Sequence, residues 1–214
     1  MDATHLDVAL AVAWLRAAAA SVTAETGQLT RLDAAIGDGD HGVNLARGFT
    51  AVAATLDGAG STAVGDVFVR AGATLISKVG GASGPLYGTA FRAIGKALPP
   101  GAASADLADL AAALHAGLDA VRKLGGAEPG DKTIVDAFRP ALDAFEEAVA
   151  GGAALPEVAA SAARAAGEGA RATVPMTARK GRASYLGERS AGHQDPGATS
   201  TWLIFQALAD VTAP

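Results

Sequence analysis

Apolar residues along this chain recur every three or four positions and seldom every second one, a spacing that predicts helices throughout. The clearest run starts at Ser104, a residue suited to capping a helix. It continues through Leu107, Leu110, Leu114, Leu118 and Val121, which fall on one helix face. Gly125 and Gly126 end it. The same periodicity predicts helices over 5–25, 42–56, 62–79, 85–97, 132–149, 156–173 and 196–211, eight in all. Pro140 falls inside one of them and is expected to kink or split it near Arg139, because proline removes a hydrogen bond and crowds the preceding turn. Most connections are short, so successive helices are expected to run antiparallel as neighbours. Alanine at many packing positions allows close approach, which suits a compact bundle or a closed ring of helices. The expectation is one all-α domain over 1–214.

Charge and composition narrow the function. The net charge is −5, with 18% charged residues in no block of one sign, which gives no general attraction to nucleic acid or to an anionic membrane. An acidic protein that holds a polyanion needs a local device: a metal, a helix N-terminus or a few placed arginines. The absence of cysteine excludes disulfides, zinc–thiolate sites and thiol catalysis, and fits a reducing cytoplasm. The apolar run from Val8 to Val22 follows Asp2 and Asp7, where a signal peptide would be positive, and Arg16 interrupts it. It reads as a buried helix. No other stretch approaches the roughly 20 apolar residues of a membrane span.

Candidate chemistry lies in four polar, glycine-rich stretches: Asp33 to Asn44, Gly80 to Gly88, Gly125 to Thr133 and Ala178 to Gly197. Loops at alternate connections of an antiparallel bundle share an end, so several of these could form one site. In the first, Asp33, Asp38 and Asp40 place three carboxylates within eight residues, which repel one another unless a cation neutralises them. Magnesium takes oxygen ligands of this kind and completes its octahedron with water and phosphate. A calcium loop is excluded, since Val43 occupies the glycine position and Phe49 the position of the bidentate glutamate. Gly37, Gly39 and Gly42 imitate a dinucleotide fingerprint, yet no strand precedes them and the aspartates sit where pyrophosphate would approach. A solvated acidic turn capping the next helix remains the alternative.

In the second stretch, glycines lead through Ser83 into a helix whose free amides suit phosphate oxygens, although a tight helix connection needs the same residues. The third is not a P-loop, because Asp131 separates Gly130 from Lys132; Asp131 or Thr133 reads as a helix cap. The fourth gathers Arg179, Lys180, Arg182 and Arg189, and arginine near a transferring phosphoryl group stabilises the charge that develops there. The alternative is a solvated charged loop paired with Glu188. Ser190, His193 and Asp195 are too close in sequence to be taken for a triad, and His193 alone reads as structural.

Taken in order, four blocks resemble the L subunit family of the dihydroxyacetone kinases. They are Ile36-Gly37-Asp38-Gly39-Asp40-His41-Gly42, Gly80-Gly81-Ala82-Ser83-Gly84-Pro85-Leu86-Tyr87-Gly88, Gly130-Asp131-Lys132-Thr133, and Ala178 to Arg182 with Gly192 to Ala198. The resemblance spans nearly the whole chain. It implies an eight-helix antiparallel barrel carrying an adenine nucleotide, ADP or ATP, at one end, with two magnesium ions on Asp33, Asp38 and Asp40. It also implies nucleotide contacts at His41, Gly42, Val43, Asn44, Ala82, Ser83, Gly125, Ile134, Arg182, Asp195, Pro196 and Gly197, with Arg182 catalytic. Family members carry alanine or glycine at Gly39, and phenylalanine is frequent at Tyr87. The implied reaction passes phosphate to dihydroxyacetone held on a partner K subunit. A phosphohistidine-carrying M subunit of the phosphotransferase system recharges resident ADP. Association into a homodimer stays open. So do an ATP-dependent kinase of another small ketose or carrier, and a regulator that senses nucleotide without transferring phosphate.

Overall fold

A computed structural model describes residues 4–57 and 60–213. Asp2, one of the two acidic residues before the first helix, lies outside the described residues. The predicted periodicity becomes α1 (Val8–Ala24), α2 (Thr26–Ile36), α3 (His41–Asp57), α4 (Val64–Lys78), α5 (Ser83–Ala97), α6 (Leu107–Gly125), α7 (Val135–Ala150), α8 (Leu155–Ala172) and α9 (Pro196–Thr212). A 3-10 segment covers Arg182–Ser190, and two short strands, β1 (His5–Asp7) and β2 (Ser104–Asp106), pair antiparallel.

Eight of the helices form a closed ring. α1 packs on α3, each later helix packs on its successor, and α9 returns to α1. Every second connection then lies at the same end. At one end, the amides of Val8 and Val64 donate to the carbonyls of Ala103 and Ala102, which joins the starts of α1 and α4 to the loop before β2. The polar stretches gather at the other end, and α2 sits beside them, against α3 and α9.

The ring is filled by one apolar core. Trp14 meets Phe68 edge-on with centroids 5.6 Å apart, Phe68 stacks on Phe91 at 6.3 Å, and Phe49 meets Phe91 at 6.1 Å. Such pairs add to the burial of large apolar surfaces. Small residues let α4 and α5 approach closely. A Cβ on Gly65 would stand 2.5 Å from the Gly95 carbonyl oxygen, so α4 and α5 pack backbone to backbone there.

Four local expectations are corrected. The ring has its eight members, but α2 is a ninth α-helix among the described residues, where the sequence pattern predicts none. Of its 11 residues only Leu29, Asp33 and Ile36 are buried, so its inward stripe is narrow and partly polar. The first helix begins at Val8, because residues 5–7 form β1. Ser104 lies in β2, and the cap of α6 is Asp106, which accepts from the Asp109 amide at 2.8 Å. α7 is not split at Pro140 but continues from Val135 to Ala150. The carbonyl that proline deprives of a partner is that of Asp136. It lies against Gly169 of α8, where a Cβ would come within 2.2 Å, so a neighbouring backbone without a side chain accommodates the disrupted turn.

No single described helix is long and apolar enough to cross a membrane. α1 and α2 meet such a criterion only as a pair bent by 63°, and the buried face of α1 lies in the core.

Candidate functional site

A cleft of about 270 Å³ opens at the loop-bearing end of the ring. α3, α5, α7 and α9 all begin at its wall. The first amides of a helix lack intrahelical acceptors and carry the positive end of its dipole, so four converging N-termini suit a polyanion.

The aspartates stand beside these N-termini. Asp33 belongs to the last turn of α2 and not to the loop after it. Its Oδ2 accepts from the amides of Asp40 and His41 at 2.8 and 3.0 Å, which caps α3. Its Oδ1 occupies the space a Cβ on Gly37 would need, 2.2 Å away, so glycine there leaves the carboxylate its place. Asp33 is buried, Asp38 and Asp40 are exposed, and one oxygen from each lies within 4.8 Å of the others. This set of hard oxygen donors open to solvent fits Mg2+, which binds a few carboxylates and leaves positions for water and phosphate.

Arg182 reaches the same cluster, its Nη2 3.0 Å from Asp38 Oδ2. Ala178, Ala183 and Leu186 pack on Ile36 at the end of α2, which brings the arginine's segment over the aspartates. Both partners are open to water, so the pair contributes little to stability and is free to exchange for an anionic ligand.

Behind the aspartates lies a buried hydrogen-bond chain. His41 Nδ1 is 2.9 Å from Ser83 Oγ and Nε2 is 2.9 Å from Ser200 Oγ. The Tyr87 hydroxyl lies 2.7 Å from Ser200 Oγ and donates to the Gly197 carbonyl at 2.9 Å. Burial lowers the His41 pKa, against the opposing pull of Asp33 and Asp40, so the ring is neutral at neutral pH. Burial likewise raises the Tyr87 pKa and keeps the phenol protonated. A neutral chain of this kind fixes the starts of α3, α5 and α9 relative to one another without placing charge beneath the cleft.

Asp195 caps α9, its Oδ2 accepting from the Ala198 amide at 2.7 Å. Burial pushes its pKa up to about 7. The folded protein therefore binds a proton that the unfolded chain has released, and the ionised carboxylate destabilises the fold progressively from about pH 4 to about pH 7. Asp195→Asn keeps an oxygen for the cap and carries no charge. Urea unfolding from about pH 5 to about pH 8 is expected to show the variant gaining on the wild type as pH rises, then holding its advantage. A difference independent of pH would contradict this.

The cleft brings together most of the residues singled out from the sequence: the three aspartates, His41, Ala82, Ser83, Gly125, Ile134, Arg182 and the run Asp195, Pro196, Gly197. Gly42, Val43 and Asn44 are not in its lining. Gly42 faces α2, where a Cβ would meet the Thr26 carbonyl at 2.3 Å. Val43 is half exposed, and Asn44 is buried and accepts from Arg47 at 3.0 Å. Sequence reasoning missed the apolar wall of Ile36, Leu86 and Val121, because those positions carry the same helical spacing as the core. Lys132 and Lys180 also line the cleft; the sequence placed both in its glycine-rich stretches without singling out either as a site residue. Ser190 donates to the Gly187 carbonyl and accepts from the Ala178 amide, and the His193 side chain is exposed, so neither joins Asp195 in a triad.

A model of the DAK2 domain matches residues 35–210. The chain belongs to the DAK2 domain family. This DAK2 domain is 42% identical over 198 residues to the ADP-binding subunit DhaL of the PEP-dependent dihydroxyacetone kinase of Escherichia coli, a match covering 92% of this chain and 94% of that protein. It is 41% identical over 190 residues to the L-erythrulose 1-kinase of Mycolicibacterium smegmatis, covering 86% of this chain and 32% of that protein. Among solved structures, the dihydroxyacetone kinase of C. freundii in complex with AMP-PNP and Mg2+ superimposes with a TM-score of 0.74 at 29% identity. That match takes in 94% of the DAK2 domain described here and 34% of the C. freundii chain, so the domain spans about a third of that kinase.

Proposed function

We propose that this DAK2 domain is the nucleotide-binding, phosphoryl-transferring subunit of a dihydroxyacetone kinase. In this reading Asp33, Asp38 and Asp40 hold two Mg2+ ions, which neutralise the phosphates of ATP or ADP when bound. The observation that carries it is the meeting of three carboxylates with four helix N-termini and Arg182 at one cleft. Helix amides and Ser83 receive phosphate oxygens, Ile36, Leu86 and Val121 receive the base, and Arg182 turns from Asp38 to the transferring group. Phosphoryl transfer needs little covalent work from the protein, and positioning with charge neutralisation supplies most of the rate.

Dihydroxyacetone is held by a partner K subunit in this proposal, and resident ADP is recharged by a phosphohistidine donor, the M subunit of the phosphotransferase system. Two observations favour a partner at the cleft. His41, the one histidine in its lining, has both ring nitrogens engaged and is not free to deprotonate a sugar hydroxyl. Of Val43, Ile76, Leu124 and Tyr185, the large hydrophobic residues exposed among those described, the first three stand in the cleft-side terminal turns of α3, α4 and α6, and Tyr185 lies in the 3-10 segment that carries Arg182. Exposed apolar residues at the same end as the cleft suit a protein interface.

A second reading is an ATP-dependent kinase of another small ketose, favoured by the match to an erythrulose kinase of which this domain would form a third. Reconstitution with a K subunit separates the two readings by comparing ATP with a phosphorylated histidine carrier as donor, and dihydroxyacetone with erythrulose as acceptor. Transfer from the carrier through bound ADP is the expected result. Purified protein that neither contains ADP nor binds it with Mg2+ would refute the nucleotide assignment.

A further inference from the structure

Lys132 is a buried charge that the proposed reaction does not use. It is 1% exposed, and its backbone is held at φ 63°, a left-handed conformation that lysine seldom adopts. Asp136 imposes that shape, accepting from the amides of Gly130 and Thr133 at 2.5 and 2.8 Å. The turn sends the lysine inward to the end of α8. There its ammonium donates to the carbonyls of Thr173, Met176 and His193 at 2.7, 3.2 and 2.5 Å. Three donors meet three acceptors, so the group is fully satisfied without water. Burial lowers its pKa while Asp195 opposes the shift.

The three carbonyls bracket the segment that carries Arg182. Thr173 and Met176 precede it and His193 follows it. The Thr173 hydroxyl accepts from the Asp195 amide at 2.9 Å, which links the same point to the cap of α9. Oxygen atoms converging on a cation at a helix C-terminus are the surroundings of a bound monovalent ion, here covalently tethered.

We propose that Lys132 is a positioning residue, a built-in monovalent cation whose bonds to Thr173, Met176 and His193 hold the Arg182 segment and the Asp195 cap at the cleft. Its effect on nucleotide affinity rests on the Mg2+–nucleotide reading; its effect on the segment's order does not.

Two variants test it. Lys132→Gly accepts the left-handed backbone and leaves a hole lined by carbonyls, whereas Lys132→Met fills the hole with a neutral chain. Amide hydrogen exchange over 173–195 and affinity for Mg2+–ADP are measured with n-butylammonium, with n-butanol and with neither. Both variants are expected to exchange faster and to bind at least about tenfold more weakly than the wild type. Butylammonium should restore Lys132→Gly on both measures, butanol should not, and neither should restore Lys132→Met. Wild-type behaviour of Lys132→Met, or equal rescue of Lys132→Gly by butanol, would overturn the proposal. If Lys132→Gly does not fold unaided, the comparison is made on its melting temperature: stabilisation by butylammonium alone supports the proposal, and equal or absent stabilisation refutes it. Should the wild type fail to bind Mg2+–ADP, the nucleotide reading falls and the exchange measurements still decide the role of Lys132.

Discussion

Asp38→Ala is expected to weaken magnesium-dependent ADP binding by roughly a hundredfold or more, with helical content and melting temperature close to those of the wild type. The two halves of that outcome have different physical origins. Asp38 is exposed and forms its ion pair with a still more exposed Arg182, so its removal opens no cavity and strands no buried group. For a bound metal the loss is larger, because one of three anionic oxygens disappears and the remaining two must hold the ion against phosphate and water. Calorimetric titration with ADP in Mg2+, and again in chelator, isolates the metal-dependent part. Equal affinities for variant and wild type in Mg2+ would remove Asp38 from the metal site. Asp33 behaves differently, because its second oxygen also caps α3. Substituting alanine there is expected to lower stability by about 1 kcal/mol in addition to the binding defect.

Phe68→Ala should produce the opposite profile. This ring is fully buried between Trp14 and Phe91, on a helix that contributes no residue to the cleft lining. Truncation removes the transferred apolar surface and leaves a cavity that a ring of packed helices closes only in part, for a loss of about 3–5 kcal/mol. In a chain of this size that lowers the melting temperature by roughly 10 °C. ADP affinity well below the transition should stay near the wild-type value. Thermal unfolding with a parallel titration checks both numbers. A large affinity loss in the folded variant would mean that the core and the cleft are coupled more tightly than their separation suggests.

The ring was legible in the sequence because each of its helices turns a continuous apolar stripe inward, and period is the signal that such burial leaves. α2 was hidden for a physical reason. Its inward positions are Leu29, Asp33 and Ile36, and the polar member breaks the stripe where the proposed metal site needs a carboxylate. The same residue thus misled the fold reading and informed the site reading. The start of α6 was misplaced because Ser104 and Asp106 both suit a cap, and only pairing with residues 5–7 assigns the serine to a strand. Asp33, Asp38, Asp40 and Arg182 could be singled out because charged residues in glycine-rich turns are conspicuous. Ile36, Leu86 and Val121 could not, since an apolar side chain facing a cleft has the same spacing as one facing the core. Lys132 left no signal either, because its burial depends on carbonyls more than 40 residues further along the chain.

The closure of α9 on α1 has a consequence for how the protein is made. The Trp14 indole donates to the Ile204 carbonyl at 2.8 Å, across 190 residues, so the seam of the ring cannot be sewn until Ile204 has left the ribosome. The same last helix brings Asp195, Pro196 and Gly197 to the cleft and Ser200 to His41. Vectorial synthesis therefore completes the barrel and the pocket in one late event, and a nascent chain lacking residues 196–212 has neither. Under the proposed function, a nucleotide in the surrounding solution would not template the early helices and would capture the ring only once the ring has closed.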